Sequence, residues 1–247
     1  MSGRTIIVGD VHGCARELAS LLETVAVTDD DRVVMVGDTV VRGPDPAGVL
    51  RILREVGARS VRGNHENRLI RFRRLHPTKI GTSPAERRLR ENIFLRRTAD
   101  RLSDEDWAYV EAMPLWLDLP EHELRIVHAG VMPGVEIENQ TERVLMYLRR
   151  LDEAGGPSER NDGGELWAQQ YEGPPHICFG HNALVGLQFA PWATGLDTGC
   201  VYGHELTALV LPEGTEVPRA CDERRDLLAS VPAEQAYYDV DARRRLA

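Results

Sequence analysis

The amino-acid sequence predicts an α/β fold in which a sheet with parallel strands packs against a second, mixed sheet. The first half of the chain alternates short β-branched segments with helical patterns, which is the order typical of parallel strands. After Pro114 the pattern becomes strand-like, with segments at 115–119, 124–127, 177–179, 187–190 and 206–211. No Pro/Gly/Ser-rich stretch divides the 247 residues, so we expect a single domain over 1–247.

Three strand-loop-helix units open the chain. The strand at 4–9 leads through Asp10 to a helix around 18–25, and the strand at 32–37 leads through Asp38 to a helix around 49–56. The third strand, at 60–62, leads through Asn64 to a helix around 69–72. Because the carboxyl ends of parallel strands lie at one edge of a sheet, we expect the polar residues that follow them to meet there.

Helices and polar segments fill the remainder. Residues 83–113 indicate two helices, the second opened by Ser103 with Asp106 three residues later as a capping box. We expect a helical cap over about 66–113. Residues 152–164 predict a polar loop, and the charged segment over about 213–247 predicts a loosely docked tail.

The composition excludes several classes of partner. A net charge of −9 argues against binding duplex nucleic acid or an anionic membrane, because both need clustered positive charge. No apolar run approaches the roughly 20 residues that span a bilayer, so we expect a cytoplasmic protein. The four cysteines lack paired spacing, so we expect reduced thiols. The oligomeric state is not predicted.

One region of this acidic chain is basic. The segment from Arg68 to Arg97, here called the basic segment, contains ten Arg or Lys residues, including Lys79, and only Glu86 and Glu91 as acids. Two interpretations remain open. The charges are a solvated helix face, or they contact a polyanion such as the remainder of a phosphate chain.

Polar residues after five predicted strands form a pattern typical of a two-metal centre. Asp10 and His12, two residues apart, would hold one ion, and Asp38 is placed to bridge both. The second ion would take an amide oxygen and two imidazoles, from Asn64, His128 and His181. Such ions polarise phosphoryl oxygens and deprotonate water, so the pattern predicts hydrolysis of phosphate esters or anhydrides. We expect two divalent ions, manganese first, with iron, zinc and cobalt as alternatives because these ligands accept all four.

These motifs resemble those of the calcineurin-like metallophosphoesterases, and more narrowly the phosphoprotein phosphatase branch. The matching segments reach to about residue 210: GDVHG at 9–13, GDTVVRGP at 37–44, GNHE at 63–66, HAG at 128–130, FGH at 179–181 and LDTGC at 196–200. The resemblance implies a four-layer αββα sandwich with a dinuclear centre at the edge of its paired sheets. It gives Asp10, His12 and Asp38 to one metal and Asp38, Asn64, His128 and His181 to the other.

The resemblance also implies roles in phosphate binding and proton transfer. Arg42 would clamp the phosphate, and its planar fork matches two phosphate oxygens. Arg149 would be the second clamp, with Arg150 as the alternative, and Asn64 would also contact substrate. His65 would act as general acid on the leaving oxygen. We expect Glu66 to support the loop geometry.

Position 41 indicates the substrate class. Protein Ser/Thr phosphatases of this branch carry an Asp there, which orients and charges the acid histidine, whereas this chain has Val41. Without that carboxylate His65 is less basic, which suits a nucleoside diphosphate leaving group better than an alkoxide. Together with the LDTGC motif, this resembles the bacterial symmetrical diadenosine tetraphosphate hydrolases. The resemblance implies attack by a metal-bound hydroxide on diadenosine tetraphosphate to give two ADP.

Other substrates remain open. Those hydrolases usually have Asp where this chain has Glu66, and the chain also resembles a shorter bacterial group that acts on dinucleoside tetraphosphates and phosphoesters. The alternatives are a protein Ser/Thr phosphatase, a broad-specificity phosphomonoesterase or nucleotide pyrophosphatase, and a silent phosphate-binding module. Three aromatic side chains near the predicted site loops are expected to pack in the protein, with stacking on adenine as the alternative: Trp167, Tyr171 and Trp192.

Overall fold

The computed structural model describes residues 3–75 and 83–239. It contains two five-stranded mixed sheets and a small third sheet. The first sheet contains β1 (Thr5–Val8), β2 (Arg32–Met35), β3 (Arg59–Ser60), β12 (Glu205–Leu211) and β13 (Leu228–Pro232). The second contains β4 (Trp116–Leu119), β5 (Leu124–Val127), β9 (His176–Phe179), β10 (Gln188–Ala190) and β11 (Ala193–Gly195). The third joins β6 (Arg150–Leu151), β7 (Pro157–Ser158) and β8 (Glu165–Leu166).

The strand order brings the predicted ligand loops together. The first sheet runs β13-β12-β1-β2-β3, and its members β1, β2 and β3 are parallel, so their following loops lie at one edge. The second sheet runs β10-β11-β9-β5-β4, in which β5 and β9 are parallel and end beside His128 and His181. The predicted α/β fold of two mixed sheets is confirmed.

Eight α-helices accompany these sheets in the described chain. They are α1 (Ala15–Thr24), α2 (Pro46–Glu55), α3 (Asn64–Arg74), α4 (Pro84–Glu91), α5 (Ile93–Ala99), α6 (Asp104–Ala112), α7 (Glu142–Tyr147) and α8 (Cys221–Arg225). The prediction of two helices within 83–113 is wrong, because Asn92 ends α4 and its side chain caps α5 by accepting from the amides of Phe94 and Leu95. Ser103 and Asp106 form the predicted capping box.

Apolar side chains alternate between the two faces of the first sheet. Ile6 and Val8 of β1 face the helices α1, α2 and α3, whereas Ile7 faces the second sheet. A further apolar cluster covers the far side of the second sheet and includes Trp167 and Phe179. The apolar clusters therefore lie on both faces of the sheet pair and between the two sheets. No helix in the described ranges is long and apolar enough to span a membrane.

The segment after Pro212 is not loosely docked, which corrects the sequence prediction for residues 213–239. Strand β13 pairs with β12, and Tyr238 is 6% exposed. Arg224 is fully buried, and its guanidinium donates to the carbonyls of Ala190 and Ala193. These backbone acceptors offset the cost of burying its charge. The charged residues of this segment were the reason to expect a solvated tail. Lys79 and residues 240–247 lie outside the described residues.

Candidate metal centre

The loops that carry the predicted ligands meet at one edge of the paired sheets, and their backbone is strained. Within the described ranges seven non-glycine residues have positive φ, and five of them lie in these loops: His12 (48°), Asp38 (48°), Val41 (71°), Arg42 (72°) and His181 (70°). Left-handed backbone is costly for residues with a Cβ, and most of all for a β-branched residue. Such strain persists only where surrounding contacts hold it, so the backbone itself marks this edge as a candidate functional site.

Donor atoms of the predicted ligands converge on Asp38. Two groups of donors that include Asp38 could hold a metal ion, and within each the donors lie no more than 4.8 Å apart: His12, Asp38 and His65 in one, Asp38, His128 and His181 in the other. Asp38 Oδ2 lies 3.6 Å from His12 Nε2 and 3.4 Å from His128 Nε2. Asp38 belongs to both groups, which is the position that a bridging ligand needs.

Asn64 joins the donors of the second group. Its Oδ1 lies 3.0 Å from His128 Nε2 and 3.0 Å from His181 Nδ1. The other ring nitrogen of His128, Nδ1, lies 2.9 Å from the carbonyl oxygen of Val36. A backbone acceptor at one imidazole nitrogen is the usual arrangement for a metal-binding histidine, since it fixes the ring and leaves the other nitrogen for the ion.

Asp10 connects the two sheets. It follows β1, is 3% exposed, and its Oδ2 accepts from the backbone amide of His181 at 3.1 Å. Gly180 and Gly63 allow the close approach, because a Cβ on either would collide with a carboxylate oxygen, of Asp10 and Asp38 respectively. The glycines of the FGH and GNHE motifs therefore make room for predicted ligands.

Glu66 fastens the Asp38 loop to the start of α3. This fully buried carboxylate accepts from the backbone amides of Asp38 at 2.9 Å, Val40 at 3.1 Å and Gly63 at 2.9 Å. Its contacts hold the positive-φ loop that carries the predicted bridging ligand and clamp. The prediction that Glu66 supports the loop geometry is confirmed.

The electrostatic environment keeps two of the histidines neutral. Burial, reinforced by the charge of Arg42, lowers the pKa of His12 to about 3. Burial and the neighbouring His128 lower the pKa of His181 well below its usual range. Burial also opposes the charged form of His128, but the Asp38 carboxylate outweighs it and raises that pKa. Neutral imidazoles have a free lone pair, which metal binding requires.

Several carboxylates are buried close together at this edge. Burial and repulsion from Asp197 and Asp38 raise the pKa of Asp10 well above its usual range. Burial raises the pKa of Asp197 to about 6 despite a hydrogen bond from the Gly199 amide. Asp38 is also buried, but the nearby His128 and His65 keep its pKa well below the usual range. Buried anions beside neutral nitrogen donors fit divalent cations, which would relieve the repulsion.

A central cavity of about 390 Å³ opens above these donors. Its wall combines predicted ligands and clamps with residues that the sequence analysis did not identify. The predicted members are His12, Asp38, Arg42, Asn64, His65, Arg149 and His181. The additional members are Asn161, Ala183, Leu184, Asp197, Tyr202 and His204. None of Trp167, Tyr171 and Trp192 lines the cavity, and Trp167 is buried in the core.

Arg42 is held from several sides. Its Nη1 donates to the hydroxyl of Tyr202 at 2.6 Å and lies 3.1 Å from His12 Nε2. Its guanidinium carbon is 5.6 Å from the ring centroid of Tyr202 and 5.1 Å from that of Tyr238. Two aromatic faces therefore orient the predicted clamp. Tyr202 was missed because it lies far along the chain, although it follows the LDTGC motif by two residues.

The two candidates for the second clamp are separated by the structure. Arg149 lines the cavity, and its Nη1 donates to Oδ1 of Asn182 at 2.7 Å. Arg150 instead donates to the carbonyls of Asn161 and Gly164 in the third sheet and its loops. Of these two arginines, Arg149 is therefore the one that lines the cavity.

His65 lies at the start of α3 and lines the cavity. Its backbone amide donates to Asp38 Oδ1 at 3.0 Å, while its Nδ1 is buried without a hydrogen-bonding partner among the described residues. Burial and the positive charge of Arg42 lower its pKa well below the usual range. Val41, at the position that indicated the substrate class, is 2% exposed and packs in the core, so it offers no polar group there.

Comparison with known proteins identifies relatives over most of the chain. The family model for the calcineurin-like phosphoesterases matches residues 3–208. The chain is 33% identical to a bis(5'-nucleosyl)-tetraphosphatase PrpE, described as asymmetrical, of Geobacillus thermodenitrificans over 85% of this chain and 91% of that protein. It is 29% identical to the protein of the same description in Oceanobacillus iheyensis, over 84% of this chain and 88% of that one.

A solved structure is similar as well. A crystal structure described as "a putative diadenosine tetraphosphatase" superimposes with a TM-score of 0.76 and 34% sequence identity, covering 94% of this chain and 95% of the other. The similarity therefore extends over nearly the whole fold, including both sheets.

Proposed function

We propose that this chain, which belongs to the calcineurin-like phosphoesterase family, is a dinuclear-metal hydrolase that cleaves a phosphoanhydride bond of dinucleoside tetraphosphates. The observation that carries the proposal is the environment of the His65 ring: its Nδ1 has no hydrogen-bonding partner among the described residues, and burial and Arg42 lower its pKa. A histidine that is neutral at pH 7 supplies few protons. It therefore suits a nucleotide leaving group better than an alkoxide of serine or threonine.

The donors of the centre divide into two ligand sets that share Asp38. Asp10 and His12 complete one set, and Asn64, His128 and His181 complete the other. When bound, the two ions would polarise phosphoryl oxygens and make water a better nucleophile at neutral pH. Manganese is the first candidate, and iron, zinc and cobalt suit the same oxygen and nitrogen donors.

The residues around the centre bind phosphate and supply a proton. Arg42, in the loop after β2, and Arg149, directly before β6, line the cavity with Asn64 and neutralise the charge on the equatorial oxygens. His65 gives its proton to the oxygen that bridges to the leaving nucleotide. A bound phosphate opposes the effect of Arg42 and so raises the protonated fraction of His65 when substrate is present.

Two positions of cleavage are candidates. The relatives named asymmetrical are 27–33% identical over 84–85% of this chain, which supports unequal cleavage of diadenosine tetraphosphate to ATP and AMP. The LDTGC motif supports the second candidate, symmetrical cleavage at an inner phosphorus to two ADP. Unequal cleavage is the first candidate because the relatives match over most of the chain rather than over one short motif.

The test is product analysis. Metal-stripped protein is reloaded with manganese and incubated with diadenosine tetraphosphate, and the nucleotides are resolved by ion-exchange chromatography. We expect ATP and AMP in equal amounts. ADP alone would replace unequal cleavage by symmetrical cleavage and keep the enzyme class.

Two parallel measurements make the result decisive. An Asp38→Asn preparation, purified in the same way, measures any contaminating hydrolase. A phosphoserine peptide measures protein phosphatase activity. Turnover of the peptide without cleavage of the dinucleotide would overturn the proposal in favour of a protein Ser/Thr phosphatase.

A further inference from the structure

A second cavity of about 280 Å³ lies beside the central cavity, and we call it the distal cavity. Its wall is formed by the loop after Arg42, by α5 and the residues just after it, and by Tyr237 near the end of the described chain. The residues with side chains suited to ligand binding are Arg42, Phe94, Arg97, Arg101 and Tyr237.

Arg42 lines both cavities. Its guanidinium lies over the rings of Tyr202 and Tyr238, and the predicted phosphate clamp forms a border between the two spaces. A phosphate bound to Arg42 in the central cavity would therefore lie next to the distal cavity. A chain of further phosphates could extend across this border.

The distal cavity is the more positive of the two. Three arginines line it, and no Asp or Glu is among its described lining residues, whereas the central cavity contains Asp38 and Asp197. Arg97 is exposed and has no ion-pair partner in the described chain, and Arg101 donates to the backbone carbonyl of Pro44. Three guanidinium groups around one space repel each other unless an anion lies between them.

Two aromatic side chains line the same cavity. Phe94 and Tyr237 are both half-buried, and the Tyr237 hydroxyl donates to Glu17 at 2.8 Å, which fixes its ring. Phe94 packs on Tyr238 with ring centroids 5.0 Å apart. Fixed rings beside arginines are the combination that binds a nucleobase and its phosphates together.

We propose that the distal cavity binds the nucleotide of the substrate that lies farther from the metals, with its phosphates on Arg97 and Arg101 and its base against Phe94 and Tyr237. This rests on the proposed function, because only a substrate with a second nucleotide reaches the cavity. It also gives part of the basic segment a defined role, through Arg97 on α5.

The first test compares a dinucleotide with a small substrate. Arg97→Ala should raise KM for diadenosine tetraphosphate about tenfold, the effect of losing one charge-assisted phosphate contact. KM for p-nitrophenyl phosphate, which occupies only the central cavity, should stay unchanged. Arg97→Lys should restore most of the dinucleotide KM, because it keeps the charge. The control is Arg88→Ala on α4, which removes an exposed arginine outside the cavity lining and should resemble the wild type.

The outcomes separate the two proposals. If the wild type cleaves diadenosine tetraphosphate and Arg97→Ala has the same KM as Arg88→Ala, the distal-cavity proposal fails and the function stands. If the wild type cleaves p-nitrophenyl phosphate but no dinucleotide, the proposed function fails. Equal increases in KM for Arg97→Ala and Arg88→Ala would indicate a general electrostatic field and overturn the defined site.

A second variant tests the place of the base. Phe94→Leu should raise the dinucleotide KM severalfold and leave p-nitrophenyl phosphate unaffected, because it removes an aromatic face and keeps an apolar side chain. Equal losses on both substrates would mean that the change reaches Arg42 through Tyr238. That result would overturn the assignment of the base to Phe94.

Discussion

The central cavity and the distal cavity share Arg42 but are built from different kinds of contact. Around the central cavity most of the donors are buried, the loops that carry them contain positive φ values, and Glu66 holds the backbone amides of Asp38 and Val40. In the distal cavity Arg97 is exposed and carries no ion pair in the described ranges. The difference indicates that chemistry needs fixed geometry, whereas recognition of a flexible phosphate chain needs accessible charge.

The largest expected effect comes from removing the charge that both donor groups share. Asp38→Asn should lower turnover of diadenosine tetraphosphate and p-nitrophenyl phosphate more than about 100-fold, beyond the range for residues that only support metal ligands. An amide offers one oxygen and no charge, so it cannot bridge two cations. Metal content by elemental analysis should fall with activity, whereas Arg97→Ala should keep its metal. Full metal content and full activity in Asp38→Asn would refute the bridging role.

His65→Ala sharpens the comparison within the central cavity itself. Turnover should fall about 100-fold on alkyl phosphates, where the leaving oxygen needs a proton, and much less on p-nitrophenyl phosphate, whose leaving group needs little protonation. Metal content should be unchanged. Equal losses on both substrates would count against His65 as the acid. Loss of metal as well would instead indicate that His65 is a metal ligand. Its position close to the donor atoms of His12 and Asp38 is compatible with that role.

The sequence predicted which polar residues meet at this edge because each of them follows an apolar strand within a few residues, where local pattern and sheet topology agree. Asp10, Asp38 and Asn64 needed only the rule that parallel strands end at one edge. Tyr202 and Tyr238 come to Arg42 from distant parts of the chain, and no local pattern encodes that contact. The positive φ at Val41 was equally hidden, because sterics alone disfavour it. The loop is held by the contacts of Glu66 with neighbouring amides and by backbone hydrogen bonds to the loop that carries His12.

The same reasoning explains the errors in the fold. Strand β13 was missed because it is short and the residues around it are charged. One of those charged residues, Arg224 in α8, is buried, and backbone carbonyls rather than a carboxylate accept its hydrogen bonds. The helix break at Asn92 was missed because this single residue ends α4 and caps α5, so no loop separates the two helices in the sequence. The extent of the single domain stays a prediction.

Glu66→Gln tests whether the fixed backbone of the central cavity depends on one buried carboxylate. Burial and the nearby Asp38 raise the pKa of Glu66 to about 7. A raised pKa means that its contribution to folding is complete below its unfolded pKa and is lost as pH rises through about 7. The contribution of Glu66 to the stability of the metal-free protein should therefore fall between pH values of about 4.5 and 7.

Denaturant unfolding in the presence of a chelator measures this effect. Glu66→Gln should be less stable than the wild type by about 1–3 kcal/mol at low pH, because an amide satisfies the converging donors poorly. This difference should shrink as the pH rises through about 7. Asp197, whose pKa burial raises to about 6, and the buried histidines His12 and His181, whose pKa values are lowered, contribute to both curves and cancel in the difference. Parallel stability curves for the two proteins would show that Glu66 does not titrate in this range. With metal restored, turnover should fall about tenfold, as for other supports of metal ligands.

The smallest effect is expected at the border between the cavities. Tyr202→Phe removes the hydroxyl that accepts from Arg42 Nη1 at 2.6 Å but keeps the aromatic face 5.6 Å from the guanidinium carbon. Because the ring of Tyr238 still orients Arg42, turnover of both substrates should fall only about threefold to tenfold, the loss of one hydrogen bond. Since Arg42 lines both cavities, the loss should be the same for diadenosine tetraphosphate and p-nitrophenyl phosphate. A loss confined to the dinucleotide would mean that Tyr202 positions Arg42 mainly for the distal cavity, and the two cavities would then be less separate than their construction indicates.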